Sequence, residues 1–108
     1  MIKVEIVLDE EKLSAHYSLD KVWATIDSAF VGHGIYKDSK GIYKGSGLST
    51  DFAYFGIGIS LLAKQNWFME NVKSWLWYNS DMSASEEDFN VENLRENFHN
   101  YYMRHRNE

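Results

Sequence analysis

The stretch from Phe52 to Tyr78, FAYFGIGISLLAKQNWFMENVKSWLWY, carries most of the apolar mass of the chain and three of its four tryptophans. Its first half reads as a buried strand over 52–62. Ala53, Phe55, Ile57, Ile59 and Leu61 recur at period two on one face, which is fully apolar and should pack against helices. Phe52, Tyr54, Gly56, Gly58, Ser60 and Leu62 take the other face. Glycine inside a strand forfeits packing, so Gly56 and Gly58 together mark a bare patch. It serves either as a shallow groove for a ligand or a partner's side chain, or as a place where the strand bends or a neighbouring ring lies over the gap. The second half reads as a helix opened by Asn66 as N-cap. Phe68, Met69, Val72, Trp75 and Leu76 form its apolar stripe, and Glu70, Lys73 and Ser74 its polar side. Trp77 falls among the polar residues, which points either to a contact surface or to burial under the C-terminal segment. Trp67 and Tyr78 border the stripe.

Outward from this centre the periodicities are clearer. Ile2, Val4, Ile6 and Leu8 alternate with Lys3, Glu5 and Asp9, with Val7 the exception, as in a strand buried on one face. Asp9 can cap one helical turn through Lys12. Ser18 precedes a helix whose apolar face is Leu19, Val22, Trp23, Ile26, Ala29 and Phe30, and Gly32 and Gly34 end it. The repeated tetrapeptide GIYK at Gly34–Lys37 and Gly41–Lys44 flanks a turn at Asp38–Gly41, a β-hairpin with Tyr36 and Tyr43 in its arms. The polar segment after Tyr78 reads as a surface loop. A final helix is expected from about Asn90, with Val91, Leu94, Phe98, Tyr101, Tyr102 and His105 on one face.

Helices on one face of a small, mostly antiparallel sheet give an α+β fold in a single globular domain over 1–108. The element order resembles a ferredoxin-like, split βαβ arrangement with a C-terminal helix in place of the last strand. That resemblance is one of element order alone and implies no function.

At 108 residues, 44% hydrophobic and 16% aromatic, the chain has enough apolar material for one packed core. It contains no cysteine, which excludes disulfides, thiolate catalysis and cysteine-held metals and fits a cytoplasmic location. No secretory leader and no membrane-spanning run is expected. The net charge of −5 opposes non-specific nucleic-acid binding and favours a basic partner. Charge is uneven: Asp81, Glu86, Glu87, Asp88, Glu92 and Glu96 gather late in the chain, while Lys37, Lys40 and Lys44 gather in the middle.

Catalytic motifs are lacking. His16, His33, His99 and His105 offer no pair four residues apart, so no helical metal pair exists. The loop KGSGLSTD, Lys44 to Asp51, has the composition of a phosphate cradle without its spacing, and it is expected to run into a strand rather than a helix. No metal, cofactor or catalytic residue is therefore assigned. The leading expectation is a small, acidic, non-catalytic protein-interaction module. It would bind a basic protein through Trp77, Tyr78, Asp81, Glu86, Glu87 and Asp88, with aromatics as anchors and charge as steering. A second expectation is single-stranded nucleic acid on an exposed sheet face, with Tyr36, Tyr43, Phe52 and Tyr54 stacking bases and Lys37, Lys40 and Lys44 on phosphates. A third is a small ligand in the gap at Gly56 and Gly58. The chain is expected to be a monomer or a homodimer.

Overall fold

Strand β1 (Ile2–Leu8) turns Ile2, Val4, Ile6 and Leu8 inward, and the sheet is built on both of its edges. The computed structural model describes residues 2–79 and 90–98. After β1 come α1 (Glu10–Ser14), α2 (Leu19–Phe30), β2 (Tyr36–Ser39), β3 (Ile42–Lys44), α3 (Asp51–Ala63), α4 (Asn66–Met69), β4 (Val72–Asn79) and β5 (Asn90–Asn93). A helical turn over 94–98 follows. The five strands lie in the order β2-β3-β1-β4-β5, and every neighbouring pair is antiparallel. The fold is α+β, a five-stranded antiparallel sheet with helices.

Local chemistry explains the first half. Asp9 caps α1 by accepting from the Lys12 amide at 3.1 Å, which satisfies one of the donors that a first turn leaves over. Ser18 occupies the N-cap of α2 in an extended conformation, although its hydroxyl makes no capping bond. Gly41 turns the β2–β3 hairpin at φ 79° while its carbonyl accepts from Ile6 N at 2.8 Å. A Cβ there would lie 2.3 Å from the Ile6 carbonyl oxygen, so both the turn and the approach of β1 require glycine.

Both long helices cover the inward face of the sheet. Phe30 of α2 stacks on Tyr43 of β3 at 4.9 Å and meets Phe55 of α3 at 5.9 Å. Phe55 in turn stands edge-on to Trp77 of β4 at 5.6 Å. Trp75 lies between Phe68 of α4, at 4.8 Å, and Phe98, at 5.5 Å. Asn93 accepts from the Glu96 amide at 3.0 Å and so opens the turn over 94–98. Arg95 Nε donates to the Val72 carbonyl at 2.8 Å and ties that turn back to β4.

Three expectations are corrected. The segment expected as a strand over 52–62 is the helix α3. A run that is apolar on every side satisfies period two and period 3.6 alike, and its twelve uncharged residues exceed the usual length of a strand. The segment expected as one helix from Asn66 to Tyr78 is the single turn α4 followed by β4. Trp75 and Trp77 are both buried, as residues two apart are on one face of a strand and not of a helix. A bulge between Val7 and Leu8 shifts the β1–β4 register at Val72–Ser74 and hides the alternation. Finally, Asn90–Asn93 is a strand paired with β4 and helical geometry begins only at 94, while Tyr101, Tyr102 and His105 of the expected final helix lie outside the described residues.

Candidate functional site

The feature least accounted for by folding alone is the outer face of α3. Its inner side packs Phe55, Gly58, Ile59 and Leu62 into the core. The glycine at 58 is where two helices touch: a Cβ there would lie 2.6 Å from the Ala29 carbonyl oxygen and 2.7 Å from the Phe30 ring. The outer side leaves Phe52, Ile57 and Leu61 exposed at 64%, 55% and 50%. A surface helix ordinarily turns charged residues to water, but none lies between Phe52 and Ala63. Gly56 faces outward, with no described atom within 4 Å of where a Cβ would stand.

Along one flank of this face runs the crevice between α2 and α3. One part, about 280 Å³, is lined by Ala29, Val31, His33, Tyr54, Ile57 and Leu61. There His33 stacks flat on Tyr54 at 4.1 Å. The crevice continues past Thr25 and Leu61 to Trp67. Val31, which lines this crevice, is half exposed. Exposed apolar side chains and an apolar crevice thus lie side by side on this part of the surface.

The residues singled out in the sequence fall in different places. Trp77 is buried, edge-on to both Phe55 and Phe52, so it is a core side chain and not a surface anchor. Tyr78 lies on the opposite sheet face with Lys3 Nζ 4.4 Å from its ring centroid. Asp81, Glu86, Glu87 and Asp88 lie outside the described residues. Gly56 and Gly58 do not open a groove between sheet and helices: they sit on a helix, one facing out and the other closed against Phe30. Phe52 and Tyr54 are likewise on α3 and not on a sheet.

The sheet face turned from the helices does bring several other candidates together. Register places Tyr36 beside Lys44, Lys44 beside Lys3, and Lys3 beside Tyr78, one row across four strands. Lys44 Nζ lies 3.5 Å from Asp38. Tyr43 is not in this row. It is fully buried on the helix side and donates to Asp27 at 2.5 Å, and burial, followed by that carboxylate, pushes its phenol well above the ordinary tyrosine range. Lys37 pairs with Asp27 at 3.1 Å on the same side. Lys40 pairs with Glu10, which also accepts from Trp23 Nε1 at 2.8 Å. These bonds, Lys40 first, hold the Glu10 carboxyl below its usual range.

The glycine-rich loop after Lys44 does lead into a helix N-terminus, contrary to expectation. That position is already filled by an acidic side chain of the chain itself. Asp51, buried at 3%, accepts from the Gly47 amide at 2.9 Å, and a Cβ at Gly45 would collide with its carboxylate. Its other oxygen, like the indole nitrogen of Trp75, has no partner among the described residues. An internal carboxylate takes the place a phosphate would need. Among the described residues no group of three or more His, Asp or Glu side chains is arranged to hold a metal. Nor is any helix among them long and apolar enough to cross a membrane.

No family model, no curated protein and no solved structure matches this chain.

Ile57 and Leu61, the centre of the exposed face, escaped notice in the sequence because a strand reading assigned both to the core. The signal that could have found them is the absence of charge from Phe52 to Ala63: a helix so composed is either buried all round or leaves an apolar face for a partner.

Proposed function

We propose that this chain is a small, non-catalytic protein-interaction module that docks its partner on the outer face of α3 and the crevice beside it. The observation that carries the reading is the bare apolar face itself, with Ile57 and Leu61 at its centre and no charge along the helix. The crevice suits an amphipathic segment laid along α3, the helix-in-groove mode in which a few apolar anchors supply the affinity. The net charge of −5 favours a partner with a basic rim. The acidic residues Asp81, Glu86, Glu87 and Asp88 belong to the proposal as the steering charge, while Tyr78, on the sheet face turned from the helices, takes no part in it. The cysteine-free composition keeps a cytoplasmic setting within it. The strand order and the alternation of helices and strands support a ferredoxin-like arrangement extended by β5.

The test is affinity capture from native extract with the wild-type chain and with an Ile57→Asp/Leu61→Asp double variant, both treated with nuclease. Both positions are exposed, so the variant should melt as the wild type does. A protein retained by the wild type and lost by the variant supports the reading. Equal retention by both sinks it.

A second reading rests on the row Tyr36, Lys44, Lys3 and Tyr78, two cations flanked by two rings, which fits single-stranded nucleic acid. The net charge opposes it, and Lys44 already has Asp38 beside it. Oligonucleotide binding that weakens steeply with salt and disappears in Tyr36→Ala/Tyr78→Ala would favour this face. No binding at low salt would dispose of it.

A further inference from the structure

We infer that the cavities around Trp67 bind a small molecule made of a planar aromatic ring and one anionic group. The site shares Trp67 with the crevice beside α3 but takes its other walls from α1, α2 and α4, and the inference does not rest on the docking reading.

Two cavities meet at the rings of Tyr17 and Trp67, which line both. The larger, about 400 Å³, is lined also by Lys12, His16 and Glu70. That volume falls within the roughly 300–1,000 Å³ of small-molecule sites. The smaller, about 210 Å³, takes its remaining walls from Ser18, Lys21, Val22 and Thr25, which recur three and four apart along the start of α2. Val22 is buried and gives this cavity an apolar floor. Trp67 is half-buried and held in place: its carbonyl accepts from Asn71 Nδ2 at 2.7 Å, and its ring stands edge-on to Phe68 at 5.9 Å. Tyr17, by contrast, is 50% exposed. A planar ring laid against these two aromatic walls gains stacking and covers apolar surface that water now touches.

Charge decides what the ring carries. The chain has a net charge of −5, and Lys37, Lys40 and Lys44 each lie beside a carboxylate. The lysines of this crevice do not. Lys21 makes no ion pair among the described residues, and Lys12 Nζ donates to the Glu70 carbonyl at 3.3 Å instead of to a carboxylate. Of the described residues no Asp or Glu lines the smaller cavity, whereas Glu70 lines the larger. An anionic group is therefore favoured beside Lys21 and opposed beside Glu70, which fixes the direction of the ligand: ring against Trp67 and Tyr17, acid toward Lys21. The Ser18 hydroxyl, which makes no capping bond, is a further donor to the acid. A ring bearing a cation would meet Lys21 instead of a counter-charge, and a neutral ring would forgo the pairing.

Proton–nitrogen NMR of the full chain, titrated with indoleacetate, reads the site directly. The expected result is saturable binding with a dissociation constant on the order of 0.1 mM, with shifts at the Trp67 indole N–H and at the amides of Tyr17 and Lys21. Indole, which lacks the acid, should bind about tenfold more weakly, and tryptamine, the same ring with a cation, should not bind. Lys21→Ala should weaken the complex about threefold. Tyr17→Ala should weaken it about tenfold. Lys64→Ala, at an exposed lysine outside both cavities, should leave it unchanged, as should Ile57→Asp/Leu61→Asp. All these positions are exposed, so the variants should melt as the wild type does. No saturation by about 5 mM indoleacetate overturns the inference. So does tryptamine or indole binding as tightly as indoleacetate, or Lys21→Ala and Tyr17→Ala both behaving like Lys64→Ala.

Discussion

The hydroxyl of Tyr43 donates to Asp27 Oδ1 at 2.5 Å and joins the middle of β3 to the last turn of α2. Burial and this carboxylate both favour the protonated phenol, so the folded-state pKa lies above the ordinary value of 10.0. Stability from this group is fully present below about pH 10 and is lost as pH rises through that value toward the folded pKa. Urea unfolding should therefore show stability declining above about pH 10 by up to about 1.4 kcal/mol per pH unit from this residue. Tyr43→Phe should remove that slope and cost about 1–3 kcal/mol at neutral pH, because Asp27 loses a donor. An unchanged alkaline slope in the variant would exonerate Tyr43.

Trp75 and Trp77 stand two apart on β4, and both are in the core. Trp75 is wholly enclosed, and Trp77 closes the end of the core under Phe52 and Phe55. Alanine at either position should cost about 3–5 kcal/mol, the usual loss for a buried aromatic. The urea midpoint checks it. A Trp77→Ala chain with the wild-type midpoint would return that ring to the surface.

What could be read from the sequence follows where one side of an element meets water. In β1 and α2 polar residues mark the solvent side, and the helix at Leu19–Phe30 and the hairpin turn at Gly41 lie where periodicity and turn chemistry put them. In α3 no charged side exists, so the run satisfies period two and period 3.6 alike, and glycine, unfavourable in strand and helix both, does not separate them. In β4 the bulge at the Val7–Leu8 step broke the alternation that would have shown Trp75 and Trp77 on one face. The same two features hide the candidate site: a helical reading of β4 sets Trp77 among polar residues and leaves surface and burial both open, and a strand reading of α3 sets Ile57 in the core. The row Tyr36–Lys44–Lys3–Tyr78 depends on which strands are neighbours, and local sequence does not contain that.

Glu10 joins α1 to α2 and to the hairpin turn, accepting from Trp23 Nε1 at 2.8 Å and pairing with Lys40. Lys40 is the larger cause of its lowered pKa and Trp23 the next. A lowered carboxyl pKa contributes stability above the unfolded value, and that contribution is lost as pH falls through the folded value. Trp23 fluorescence followed through acid titration should therefore report a midpoint below the ordinary 4.5 of a glutamate. Lys40→Ala should move that midpoint upward, and Glu10→Gln should abolish it. A midpoint indifferent to Lys40 would break the link.

Gly56 and Gly58 lie on one helix, yet substitution should move stability in opposite directions. At Gly58 a methyl group would press on the Ala29 carbonyl and the Phe30 ring, at 2.6 and 2.7 Å. The helices must part, so Gly58→Ala should destabilise by about 1–3 kcal/mol despite its better helix propensity. At Gly56 no described atom opposes the methyl, and Gly56→Ala should stabilise the isolated chain by up to about 1 kcal/mol. Thermal unfolding at a concentration too low for association separates the two. Equal destabilisation at both positions would mean that the face around Gly56 is already covered within the chain, and the docking surface would lose its ground. Stabilisation at Gly56 alone would show a helix that carries a destabilising glycine with no reason inside its own fold.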